Sequence, residues 1–137
     1  MKMHRPLDEI IGQMEPGLER STLRVISQRK GIDNAISRAS LAAALNSLGF
    51  GRDLTPATFD RKIRATIVEL RRLGHLICSS SGEGGYYMAA NRAEYDEFSL
   101  GEYRSKIVDM STTLKAMDIA ADRQFGKLTP GGQGSLF

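Results

Sequence analysis

Four side chains able to hold an anion or read a base edge fall within seven consecutive positions: Thr58, Arg61, Lys62 and Arg64. A guanidinium can form two parallel hydrogen bonds to a phosphate or to the edge of guanine, whereas a lysine ammonium meets an anion as a point charge. By that chemistry Thr58, Arg61 and Arg64 suit contacts inside a nucleic-acid groove. Lys62, with Arg38 and Arg52 upstream, suits phosphates. The charge distribution points the same way. Residues 20–72 hold 11 Lys/Arg against 4 Asp/Glu, and residues 83–122 hold 4 against 8, within a chain whose formal net charge is only +3. A basic first half followed by an acidic second half implies a face turned toward a polyanion. The plainer alternative is charge that does no more than solvate a surface.

Residue sets for other chemistry do not assemble. His75 and Cys78 have a His-x-x-Cys spacing, but the only other histidine is His4 and there is no second cysteine. Two ligands do not make a structural zinc site. The run Gly82-Glu83-Gly84-Gly85 lacks the Lys-Ser/Thr of a phosphate-binding loop and leads from strand to strand. Glu94, Asp96 and Glu97 fall on a helix away from the basic region, which does not make a metal-dependent nuclease. No enzyme, metal or cofactor is therefore expected. A single cysteine excludes a disulfide framework and suits a reducing cytoplasm. No apolar run approaches the roughly 20 residues that span a bilayer, and Met1 to Glu9 lacks the apolar stretch of a secretory signal, so no membrane partner is expected.

Periodicity gives the elements that must position the basic residues. Leu7, Ile10, Ile11 and Met14 predict a first short helix, interrupted by Pro16 and Gly17; Leu18, Thr22, Val25 and Ile26 predict a second, ended by Gly31. Asn34 to Ile36 reads as extended. Ser37 is placed to cap a helix over Arg38 to Asn46, with Leu41, Ala42 and Leu45 inward. Thr55 is placed to cap the next, with Pro56 at its first position. Phe59, Ile63, Ile67, Leu70 and Leu73 then form one apolar stripe, with Arg61 and Arg72 opposite it and Thr58 and Arg64 flanking. Arg71 and Arg72 are assigned to the helix dipole.

His75 to Ser79 and Tyr86 to Ala89 predict two strands of a β-hairpin around a Ser/Gly loop. Alternation puts one of Tyr86 and Tyr87 in the core and the other outside. Asn91 can cap a helix through Phe98. A long helix over 102–124 follows, with Tyr103, Ile107, Met110, Leu114, Met117 and Ala121 in a heptad-like seam. Packing of that seam on the chain's own domain is the preferred reading, and a homodimer seam the other. The fold class is mainly α with a small β-hairpin, an α+β arrangement. Its divisions are an N-terminal helix (1–17), a central domain (18–90), a C-terminal helical extension (91–125) and a flexible tail (126–137).

The stretch Ile36-Ser37-Arg38-Ala39-Ser40-Leu41-Ala42, then Asp60 to Arg64 and Leu70 to Gly74, then Ile77-Cys78-Ser79-Ser80 and Gly85-Tyr86-Tyr87-Met88-Ala89, resembles a winged helix-turn-helix domain of the bacteriophage and prophage type. The resemblance covers residues 18–90, about half the chain. It implies double-stranded DNA as partner, helix 55–73 in the major groove, and residues 79–85 as a wing near the minor groove. Glu83 and the lack of Lys or Arg in that loop make the wing contact weak. The chain ends Gln133-Gly134-Ser135-Leu136-Phe137, which resembles the pentapeptide that binds the bacterial sliding clamp. By that resemblance Gln133, Ser135, Leu136 and Phe137 are the clamp contacts, and Gly134, where the motif usually has Leu, weakens them. The combined expectation is a non-catalytic DNA-binding protein acting in replication. The alternatives are a dimeric winged-helix transcriptional regulator with an inert tail, and a winged-helix protein-interaction adaptor.

Overall fold

The computed structural model describes residues 6–80 and 84–127. Six α-helices and three short strands occur among them: α1 (Leu7–Gln13), α2 (Leu18–Ser27), β1 (Ile36–Ser37), α3 (Arg38–Ser47), α4 (Pro56–Arg72), β2 (Ile77–Ser79), β3 (Gly85–Met88), α5 (Arg92–Ser99) and α6 (Ser105–Phe125). A 3₁₀ turn, Ile32–Asn34, precedes β1, and a π-helical turn, Leu100–Arg104, precedes α6. The architecture is mainly helical with a small antiparallel sheet. Two compact units divide between Phe98 and Ser99.

Caps set the helix starts. The Ser37 hydroxyl accepts from the Ser40 N–H at 3.1 Å, and Thr55 Oγ1 accepts from the Thr58 N–H at 3.2 Å, with Pro56 in the first turn of α4. Each supplies a partner to an amide that the helix leaves open. The Asn91 side chain does the same for the Glu94 N–H at 2.9 Å at the start of α5. Glu94 then reaches back, accepting from the Ala90 N–H at 2.9 Å and from the Ile32 N–H at 3.0 Å. These two bonds hold its carboxyl below the usual range; they also tie the 3₁₀ turn to α5.

The first unit has one core. Ile11 of α1, Leu23 and Ile26 of α2, Leu41 and Leu45 of α3, and Phe59, Ile63, Ile67 and Leu70 of α4 meet Ile36, Ile77 and Tyr86 from the sheet. The stripe of α4 therefore stops one residue short of expectation: Leu73 caps the helix and is 67% exposed.

The expected hairpin is present and carries a third strand. The sheet order is β1-β3-β2, with Ile36 opposite Tyr86 and Cys78 opposite Tyr87. Neither tyrosine of the central β3 is left to water. Both Tyr86 and Tyr87 are buried, at 7% and 4% exposed, where alternation had put one outside. Gly85 makes this pairing possible, because a Cβ there would lie 1.7 Å from the Ile36 carbonyl oxygen. At the far end of β3, the Met88 N–H donates to the Arg29 carbonyl at 2.7 Å and its carbonyl accepts from the Gly31 N–H at 2.9 Å.

In the second unit α6 buries none of its residues. Of the expected seam residues, Ile107, Met110 and Met117 are 62%, 71% and 65% exposed. No helix among the described residues is long and apolar enough to cross a membrane.

Candidate nucleic-acid interface

Because the stripe of α4 is buried, the opposite side of a 17-residue helix faces solvent. Thr58, Arg61, Lys62 and Arg64 are all exposed, and Ala57, Ala65 and Val68 lie between or beside them. Small side chains there let a helix approach a surface closely, while the long cations reach past them.

The cations of this face are not equivalent. Asp60 sits at its margin and holds two of them. Its carboxylate accepts from Arg38 Nε at 3.1 Å and from a second Arg38 nitrogen, and its Oδ2 lies 3.2 Å from Arg64 Nε. The Arg38 hydrogen bond holds the Asp60 carboxyl below its ordinary value, with the Arg38 and Arg64 charges acting in the same sense against burial. The same bond raises the pKa of Arg38. This three-residue cluster links the first turn of α3 to α4 and leaves a net charge of +1. Arg61 and Lys62, by contrast, have no ion-pair partner among the described residues.

The remaining sequence-predicted positions have further duties. Thr58 Oγ1 accepts a hydrogen bond from the Thr55 hydroxyl at 2.9 Å, so its hydroxyl belongs to the cap as well as to the exposed face. Arg52 donates from Nε to the Asn46 carbonyl at 2.9 Å and from a terminal nitrogen to the Ser47 carbonyl at 3.4 Å. It thereby closes the C-terminal end of α3, where free carbonyls favour a cation. The structure thus brings Arg38 and Arg64 together on Asp60, leaves Arg61 and Lys62 open on α4, and turns Arg52 onto the end of α3.

Asp60 is the residue that sequence reasoning missed. Its signal was present: Asp60 precedes Arg64 by four positions, the spacing of facing side chains on a helix. Arg71 differs from expectation too. Its Nε donates to the Ile77 carbonyl at 2.8 Å and its guanidinium lies 4.9 Å from the centre of the Phe98 ring, so it fastens α4 to β2. Arg72 pairs with Glu69 at 2.5 Å. Cys78 is fully buried, and burial pushes its thiol up to about 11. Burial also lowers the pKa of His75. No group of three or more His, Cys, Asp or Glu residues able to hold a metal occurs among the described residues. Residues 81–83 of the expected wing, and Gln133, Ser135, Leu136 and Phe137 of the expected clamp peptide, lie outside the described residues.

No protein-family model, curated protein or solved structure matches this chain.

Proposed function

We propose that this chain is a non-catalytic double-stranded DNA-binding protein of the winged-helix type that presents α4 to the major groove. The observation that carries the reading is the exposed face of α4, anchored by a buried stripe on its back and bearing Arg61 and Lys62 without acidic partners. A helix of this diameter fits the major groove of B-DNA. Arg61, opposite the stripe, is the residue best placed to read a guanine edge. Lys62 and the Arg38–Asp60–Arg64 cluster lie to either side of that line, where phosphates flank a groove-bound helix. The element order α2, β1, α3, α4, β2, β3 supports the winged-helix assignment.

The test is titration of a duplex at two salt concentrations. A phosphate-binding face gives affinity that falls steeply with salt. Arg61→Ala is expected to weaken binding by about 1–3 kcal/mol if the residue reads a base, or to reduce the salt slope by about one if it meets a phosphate. Negligible affinity at low salt would reject DNA binding and favour the adaptor.

The terminal Gln133-Gly134-Ser135-Leu136-Phe137 supports a role in replication through the sliding clamp. Deleting these five residues should abolish binding to purified clamp. A second reading, a dimeric transcriptional regulator, is favoured by one specific observation, the open apolar seam of α6.

A further inference from the structure

We infer that α6 is the contact surface for a second copy of this chain, and that the two copies of α6 pair antiparallel with the twofold axis beside Thr112. The inference concerns the second unit alone and stands whether or not α4 binds DNA.

The seam is unusual for a single chain. Ile107, Met110, Leu114 and Met117 lie between 40% and 71% exposed along one side of a 21-residue helix. Repetition at alternate steps of three and four keeps Ile107 to Ala121 on one line for roughly 20 Å. A contiguous apolar line of this length on a water-facing helix marks an association surface. Val108 and Ile119 lie off the line, as isolated exposed apolar residues commonly do.

What chooses a second copy, and its direction, is the pattern on the line's flanks. Arg104, the last residue of the π-helical turn, has α-helical backbone angles (φ −63°, ψ −41°) and so continues the phase of α6, on the same edge as Asp118 fourteen residues on. Neither has an ion-pair partner among the described residues. In an antiparallel pair, equivalent edges face each other. With the axis beside Thr112, Arg104 of one copy meets Asp118 of the other, and symmetry makes the contact twice.

The same register sets Met110 against Leu114 and Ile107 against Met117, so that each unbranched methionine faces a branched side chain across the axis. A parallel pair of the same helices faces Lys106 with Ser111 and Thr113 with Asp118, and forms no ion pair across the seam. Charge also permits self-association, since α6 carries three basic and three acidic residues.

Sedimentation equilibrium of the full chain tests the inference. The chain is expected to be a dimer in the micromolar range, because three heptads is near the lower limit for stable pairing. Leu114→Asp should weaken the dimer at least about 100-fold, since it buries a charge in the seam. Hydrogen-exchange protection in α2 to β3 is expected to stay unchanged in this variant, because no α6 residue belongs to the core of the first unit. Direction is read from charge reversal at low salt. Arg104→Asp and Asp118→Arg should each weaken the dimer about tenfold by setting like charges together, and the double reversal should restore it to within about threefold.

A monomer up to tens of micromolar, a trimer or tetramer, or a dimer that survives Leu114→Asp would overturn the assignment of the surface. A dimer in which the double reversal fails to restore affinity would overturn the antiparallel register. Loss of duplex affinity in Arg61→Ala, with the dimer intact, bears on α4 alone and separates the two readings.

Discussion

At the scale of single residues, three buried polar atoms of the first unit have no hydrogen-bond partner among the described residues: Arg20 Nε, the Thr22 hydroxyl and Asn46 Oδ1. Of the three residues, Thr22 of α2 alone is fully buried. A hydroxyl desolvated without a partner costs free energy that an isosteric methyl does not. Thr22→Val is therefore expected to raise stability by about 1 kcal/mol, read as an increased midpoint in urea at unchanged slope. A lower midpoint would show that the hydroxyl is bonded in solution. Asp60 shows the opposite economy. One carboxylate orients two guanidiniums from two helices, and this fixes where Arg38 and Arg64 can reach before any ligand arrives.

At the scale of elements, Gly85 decides whether β1 belongs to the sheet. Its missing side chain is what allows the backbone of Ile36 to approach, so any larger residue must push the strands apart. Gly85→Ala is expected to destabilise the first unit by about 2 kcal/mol or more and to remove hydrogen-exchange protection from β1 and β3 while sparing α6. Unchanged protection in those strands would contradict it.

The same element shows where reading the sequence stopped. The starts of α3, α4 and α5 were legible because Ser37, Thr55 and Asn91 act on amides three residues away, an effect local in the chain. The buried stripe of α4 was legible for a similar reason. The two tyrosines of β3 were not, because two-fold alternation assumes one wet face, whereas here Tyr86 joins the core and Tyr87, on the opposite face, is buried as well. Leu73 was misplaced by simple continuation of a period beyond the residue at which the helix ends. At the candidate interface, Thr58, Arg61, Lys62 and Arg64 were legible as an outward face. The bridging role of Asp60 depends on Arg38, twenty-two positions away, and no spacing rule announces a contact of that range. The sequence likewise offers Arg71 only the helix dipole, because its acceptor, the Ile77 carbonyl, belongs to a strand beyond a turn.

At the scale of the whole molecule, the titrating groups point to a stability that falls on the acid side. Asp60, Glu94 and His75 each bind a proton less readily in the folded chain than their ordinary values imply, Asp60 because of Arg38, Glu94 because of two backbone amides, His75 because of burial. Their contribution is complete above the unfolded values, about 6.5 for the histidine and about 4 for the carboxylates, and is lost as pH falls through the lower folded values. Cys78 acts on the alkaline side. With its thiol pushed up to about 11, its contribution is present below the unfolded value and lost as pH rises toward the folded one. Thermal unfolding followed from pH 3 to pH 10 is thus expected to show a plateau near neutrality and a decline on both flanks. The acid decline should become shallower in Asp60→Asn. An acid limb identical in that variant would show that the cluster contributes nothing to folding.

The sealed position of the lone thiol carries a practical dividend for anyone building probes into this molecule. Thiol-directed dyes and spin labels attack the ionised form of an accessible cysteine, and Cys78 offers neither accessibility nor ionisation at neutral pH. A reporter cysteine introduced on α4 or α6 can be tagged in the native sequence background, without first excising the natural one and disturbing the strand that holds it.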